Sequence, residues 1–376
     1  MNPAIAARIP LVCRPKPPGL PLDKRIAELT ALTAETPGAD HSKRVARACG
    51  VLNFSALIAS DSGMPDLAAE LCWRQHKVFA EAESLDQDIA VMSLMPLVNI
   101  ARLLIREGEG SAAFAVLQQL YRAAEQRGAT VIRDHAVDLS PLIRTVADHR
   151  TICTELWVAL LIDGARALAS VGRWTEAAES MAAHRGVGQR LLDGRQLTIM
   201  SLMEQGLPQQ AATMIDSSVP TEPWENAVAA ILRVYCRPPT TPTPQDELDH
   251  AGQETLALIT DPDPMTAAFR TRLALTMLDL AADRPTAYDS DLRSTVVGVA
   301  CTDAYAAREV MGHHGMRSRM TPQQEQEVAG VLTASGFGAG HLPAAHLDAL
   351  TAAVRHGEDN LRALLAELHE AAWSDP

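Results

Sequence analysis

An all-α fold, arranged as an α-solenoid of stacked helix pairs, is what this sequence predicts, and three observations carry the prediction. The first is a repeat: a glycine is followed five residues later by an alanine at Gly63/Ala68, Gly108/Ala113, Gly172/Ala177 and Gly206/Ala211. Each pair lies between two apolar segments of helical spacing. The glycine marks a tight turn that excludes a Cβ, and the alanine marks a close helix–helix approach. The second is composition. Aromatic residues make up only 4% of the chain, so Ala and Leu must build the core, which suits helix-on-helix packing and suits a β-sandwich badly. The third is the helical spacing of apolar residues in segment after segment. Recurring helix–turn–helix units form extended arrays whose common use is binding.

The elements follow in order. Residues 1–21 hold six prolines (Pro3, Pro10, Pro15, Pro17, Pro18, Pro21), which predicts an extended arm, mobile unless it docks on the body. A helix over 22–34 is stopped by Thr36-Pro37-Gly38. Four helix pairs come next: 45–59 with 66–79, 94–106 with 111–125, 156–169 with 175–183, and 191–203 with 209–215. Between the second and third pairs, Thr130–His149 is an insertion carrying Asp134, His135, Asp138, Asp148 and His149, and extra residues at an array edge often form a binding loop. A helix over 224–236 ends in the proline-rich segment 237–244, which marks a linker. Helices resume over 245–260, stop at Asp261–Pro264, and continue over 265–282, 291–311, 321–333 and 343–356. A glycine-rich loop spans Ser335–Gly340, and a last helix over 358–373 closes the array as a cap. The expected division is an arm (1–21), repeats (22–236), a linker (237–244) and a C-terminal helical region (245–376).

The last two turn glycines are 34 residues apart, and the earlier spacings are 45 and 64. With the four glycines in register, small or apolar residues fall at Ala56, Ala101, Ala165 and Ile199, then at Ala59, Leu104, Leu168 and Leu202. After the turn come Pro65, Gly110, Trp174 and Pro208, and on the second helix Cys72, Leu117, Met181 and Ile215. In these positions the chain resembles the tetratricopeptide family, best over Leu168–Met181, although Leu52, Leu97, Leu161 and Arg195 stand where that family carries a large aromatic early in its first helix. Over 45–236 it is also similar to the helical-repeat portion that actinobacterial transcriptional regulators carry behind a helix-turn-helix. No such DNA-reading head precedes Val45. The resemblance implies a regulatory protein that binds a partner in the groove lined by the first helix of each pair.

A net charge of -13 argues against a nucleic-acid-binding body, since phosphate contacts need a basic surface. Only four lysines accompany 29 arginines, as in the products of a GC-rich genome. Cys13, Cys49, Cys72, Cys153, Cys236 and Cys301 are scattered without a CxxC, so a reducing compartment is expected, with no disulfide frame and no metal site. No signal-type apolar region and no run of 18 apolar residues occurs. A cytoplasmic protein without a membrane partner is the expectation.

Several segments carry residue types capable of chemistry. His313 and His314 sit in a glycine-rich segment without a carboxylate at metal-ligand spacing, and His341, His346, His356 and His369 form no HxxxH pair. Gly186-Val-Gly188 and Ser335–Gly340 lack the preceding strand and the Lys-Ser/Thr of a phosphate loop, and no GxSxG elbow occurs. The repeat register yields the better site. Asn99 and Arg102 occupy the same places as Asp163 and Arg166 one repeat later, while Asn53 and Gln196 fall one residue before the corresponding position. All lie in apolar stretches, where an unsatisfied polar group costs a few kcal/mol. Either Arg102 and Asp163 pair with each other and hold the stack together, or the set faces a groove and awaits a carboxylate or a peptide backbone. The expected ligand-binding residues are therefore Asn53, Asn99, Arg102, Asp163, Arg166 and Gln196, with no cofactor. The expected partner is a peptide or protein segment, with a small signal ligand or a homodimer as alternatives. An enzyme on a helical scaffold, using His135/His149 or His313/His314 for proton transfer on a peptide or natural-product intermediate, is the competing function.

Overall fold

The computed structural model describes residues 2–34, 37–82, 84–238, 243–261 and 263–373, with side chains to residue 367. Thr36 at the first expected stop, residues 239–242 of the expected linker, Pro262 and the side chain of His369 lie outside the described residues. One short helix, α1 (Pro3–Ala6), opens the chain, and a turn followed by residues without regular secondary structure leads from it to α2 (Leu22–Leu32). The first pair is α3 (His41–Asp61) with α4 (Pro65–Ala80), and the second is α5 (Gln87–Arg106) with α6 (Gly110–Glu125). An antiparallel hairpin, β1 (Ala129–Ile132) and β2 (His135–Asp138), precedes α7 (Val146–Ala159). α7 runs through a π-helical turn, Leu160–Gly164, into α8 (Ala165–Ser170). Then come α9 (Trp174–Ala183), α10 (Asp193–Glu204), α11 (Pro208–Asp216) and α12 (Pro223–Tyr235). They are followed by α13 (Gln245–Ile259), α14 (Ala267–Leu280), α15 (Asp289–Ala300) and α16 (Ala304–Gly312). The last are α17 (His314–Arg317), α18 (Pro322–Ser335) and α19 (Ala344–Trp373). The fold is all-α; among the described residues the hairpin is the only sheet.

The four repeat turns share one geometry. Gly63, Gly108, Gly172 and Gly206 all have φ between 72° and 83°. In each, the residue after the glycine donates its N–H to a carbonyl five residues back, as in Met64 to Ala59 and Leu207 to Leu202. This is the 6→1 bond of a Schellman cap, which needs the left-handed glycine. Ala68, Ala113, Ala177 and Ala211 are fully buried, so the small residue sits where the second helix of each pair meets its neighbours.

Packing divides the chain into two compact units, each assembled from two stretches of sequence. One, the arm unit, is Met1–Pro21 with Leu168–Ser335; the other, the α19 unit, is Leu22–Ala167 with Gly336–Pro376. The boundaries at 236 and 245 expected from the prolines are not packing boundaries: α12 and α13, on either side of 237–244, pack together within the arm unit. Residues 22–236 are instead split within α8, and 336–376 join the first repeats.

In the α19 unit, α3, α4, α5, α6 and α7 pack in succession, and α19 lies against α3, α2 and α4. Residues 343–356 and 358–373, expected as two helices, are one helix through Gly357. A Cβ on Gly357 would stand 3.1 Å from Val51 Cγ1, so this glycine permits the close approach of α19 to α3 and does not break the helix. The loop Gly336–Gly340 hydrogen-bonds to the end of α3, Gly338 N–H to Asp61 O at 2.8 Å and Gly340 N–H to Ser62 O at 2.7 Å. α5 is long and apolar enough by composition to cross a membrane, but 61% of that stretch is buried within the protein, as in a core helix.

In the arm unit, residues 291–311 are two helices and not one. Cys301-Thr302 turns the chain, and the Asp303 side chain caps α16 by accepting from Ala306 N–H at 2.8 Å. Residues 1–21 are docked: Ile5, Ile9, Leu11 and Val12 are buried in the core of this unit.

Candidate functional site

Four of the expected binding residues meet in the α19 unit. Asn99 on α5 donates its amide N–H to Asn53 Oδ1 on α3 at 3.0 Å. One turn further along α5, Arg102 donates to Asn99 Oδ1 at 3.2 Å and to Asp163 Oδ2 through Nε at 3.1 Å. Asp163 comes from the π-helical turn. The extra residue in that turn shifts the helical phase, and Gly164 leaves room there for Phe114 of α6, whose Cδ2 a Cβ would meet at 3.3 Å. On the same side of α5, Arg106 bonds to Ser60 Oγ at 2.9 Å and Asp61 Oδ1 at 2.8 Å. Asp61 also accepts from the buried Arg25, whose guanidinium lies 5.7 Å and 5.5 Å from the ring centres of Phe54 and Phe337. The result is a polar ladder across α2, α3, α5 and the π-helical turn whose charges largely pair with one another. Arg102 still keeps 45% of its side chain in solvent while Asp163 is 8% exposed. Arg166 is half-buried on α8 and is itself engaged in an interaction, so it adds no free cation.

Gln196 does not join this ladder. It lies on α10 in the arm unit, fully buried, and holds the main chain of the arm. Leu11 N–H donates to Gln196 Oε1 at 2.7 Å, and Gln196 Nε2 donates back to Leu11 O at 2.8 Å. Both hydrogen-bonding groups of one extended residue are thus read by one side chain, as a neighbouring strand would read them. The rest of the seat follows the arm. Arg8 Nη1 donates to Asp279 Oδ2 at 2.7 Å, and Arg14 forks onto Asp193 at the start of α10. Lys16 places its Nζ 3.1 Å from the centre of the Tyr305 ring, and its N–H donates to Met265 O at 2.7 Å. Gly19 donates to Asp303 Oδ2 at 2.7 Å and accepts from Ala304 N–H at 3.0 Å.

Of the histidines expected to compete as catalytic groups, His313 has both ring nitrogens bonded within the fold. His313 Nδ1 accepts from Met316 N–H at 2.9 Å, which leaves its Nε2–H to donate to Asp279 Oδ1 at 2.9 Å. With both ring nitrogens used, it holds α17 and orients the carboxylate that receives Arg8. Burial raises the Asp279 carboxyl, but the bonds from His313 and Arg8 outweigh it and leave the group below its ordinary value.

The insertion is not an open loop. Arg133 and Asp134, both at positive φ, form the two-residue turn of the hairpin. His135 stacks on Trp73 at 3.9 Å, and His149 Nε2 lies 3.1 Å from Ala124 O. Asp138 accepts from Ser140 N–H, and Asp148 completes a capping box with Thr145. A concavity of about 510 Å³ beside His149 is lined by Tyr121, Arg150, Cys153 and Trp157, and burial together with Glu125 pushes the Cys153 thiol up, away from a reactive thiolate. All six cysteines are free thiols, and burial pushes Cys49, Cys72 and Cys236 up to about 12. Among the described residues no cluster of His, Cys, Asp and Glu has the make-up of a metal site.

No protein-family model matches the chain, and no curated protein or solved structure matches it either. The residues missing from the sequence-level site are therefore those of the arm's seat: Asp193, Asp279, Asp303 and Tyr305. Asp193 and Asp303 occupy helix starts, where a carboxylate is the common choice for capping and dipole reasons alone. The one available signal was on the other side of the contact, in Arg8, Arg14 and Lys16 standing together in an otherwise acidic chain.

Proposed function

We propose that this protein is a cytoplasmic, regulatory binding protein that recognises an extended peptide or protein segment on arrays of tetratricopeptide-like helix pairs. The observation that carries the reading is the two-point hold of Gln196 on the main chain of Leu11. A buried side-chain amide that both accepts from and donates to the main chain of one residue is the chemistry of peptide recognition, and its Nε2 is further steadied by Leu191 O at 2.7 Å. It occurs at a residue that the repeat register singles out. The polar ladder in the α19 unit supports the same reading more weakly, through Arg102, which keeps donor surface in solvent beside the half-buried Asn53 and Asn99.

Panning a random peptide library on the full-length chain carrying Arg14→Glu, which loosens the arm, and on the same chain with Gln196→Ala or Arg102→Ala added, tests this. Sequences enriched on the Arg14→Glu chain and lost on one of the two double variants are expected. Their dependence on Gln196 or on Arg102 assigns the face. If no enriched sequence depends on either residue, the peptide-binding reading is wrong.

A further inference from the structure

We propose that the seat of residues 5–20 is a recognition site for a basic, proline-containing, extended segment of another protein, and that the arm is the built-in competitor occupying it. This rests on the peptide-binding reading and adds the chemistry of the partner and its regulation.

The contacts have the form of ligand recognition. The arm meets its seat as one contiguous stretch, without regular secondary structure from residue 11 to residue 20, while Pro21 leads on into the other unit, so the arm reaches α10, α14 and α16 by docking. Its main chain is held at Leu11, Lys16 and Gly19. Its cations each find an acceptor: Arg8 on Asp279, Arg14 on Asp193 and Lys16 on the face of Tyr305. Position 19 is sterically specified, since a Cβ there would lie 2.9 Å from the backbone nitrogens of Ala304 and Tyr305. The prolines between these anchors fix φ along the segment, which lowers the entropy lost on docking. The seat therefore reads Arg-x-Pro-Leu-x-x-Arg-x-Lys-x-x-Gly, and any segment with that spacing of cations around an extended core presents the same groups. A tethered copy at high effective concentration suppresses such a partner until the arm is released.

The test uses the full-length chain and a fluorescent synthetic peptide of residues 5–20. Arg14→Glu and Gly19→Val weaken the arm from its own side and leave the seat untouched. The peptide is expected to bind both variants saturably, with an apparent affinity on the order of tenfold or more above that for the unaltered chain. Adding Gln196→Ala to Arg14→Glu should abolish that binding, and a scrambled peptide should not bind. A gain in melting temperature of the arm variants on adding the peptide supports the same conclusion.

Early melting that the peptide does not reverse would make the arm ordinary core and overturn the proposal. So would equal binding to all the chains, which would place the peptide elsewhere. Dimerisation of the arm variants that the peptide blocks would reassign the seat to the arm of a second copy, and the proposal of a separate partner would fall. If this peptide fails while library sequences still depend on Gln196, the pattern is wrong and peptide binding stands.

Discussion

At the scale of single residues, the Arg102–Asp163 pair shows how burial decides which partner matters. An exposed ion pair contributes at most about 1 kcal/mol, and Arg102 is close to that limit with 45% of its side chain in water. Asp163 is different, being almost wholly buried with Arg102 as its donor. Arg102→Ala strands that carboxylate and should cost about 1–3 kcal/mol. Asp163→Asn keeps an acceptor of the same shape and should cost less than about 1 kcal/mol. Thermal melting of the two variants checks the order, and a larger loss for Asp163→Asn would contradict it. The pair was legible in the sequence because Arg102 shares a register position with Arg166 and Asp163 shares one with Asn99, all in apolar helices where each needs a polar partner. Gln196 was legible as a buried polar residue in want of partners, but nothing local names Leu11, which is 185 residues away. Asp193 and Asp303 were invisible for a different reason: a capping carboxylate and a ligand-holding carboxylate look the same in one dimension.

At the scale of elements, two glycines of identical helical setting should respond oppositely to substitution. Gly50 lies inside α3 with nothing within 4 Å of where a Cβ would stand. Gly50→Ala should therefore stabilise by roughly 0.5–1 kcal/mol through helix propensity alone. At Gly357 a side chain meets Val51 and Leu52 of α3, and Gly357→Val should destabilise by about 1–3 kcal/mol as overpacking. Melting temperatures that move in the same direction would refute the assignment of Gly357 to helix–helix contact. The sequence misled here because a glycine inside a helical pattern reads as a break, and only the packed partner shows otherwise. The turn glycines were legible because their requirement is local: a positive φ closing a Schellman bond. The hairpin was not, since Arg133-Asp134 adopts a turn that usually announces itself through Asn-Gly or Asp-Gly. The π-helical turn that aims Asp163 at Arg102 leaves no signature in spacing either.

At the scale of the whole molecule, helical periodicity reports which residues of a segment are buried but not what buries them. That is why the helices were foreseen and the interleaved composition of the two units was not. The α19 unit depends on a return of the chain: Leu350, Val354, Leu361 and Leu364 are buried, and Glu358 receives Arg74 of α4 at 2.7 Å and 3.0 Å. The backbone bonds from Gly338 and Gly340 to the end of α3 arrive with the same segment. A chain ending after Ser335 would thus expose the face of α3 around Val51 and Leu52 and leave Asp61 O and Ser62 O without those donors. Hydrogen exchange should then lose protection in α3 and α4, toward the rate of local unfolding, while α10, α12 and α14 of the arm unit keep theirs. Ordinary protection of α3 in the shortened chain would show that the first repeats are self-sufficient. Equal loss in α10, α12 and α14 would show that stability is not partitioned along these two units. The expected pattern follows because residues 336–376 belong to the α19 unit, where α19 covers α3, α2 and α4.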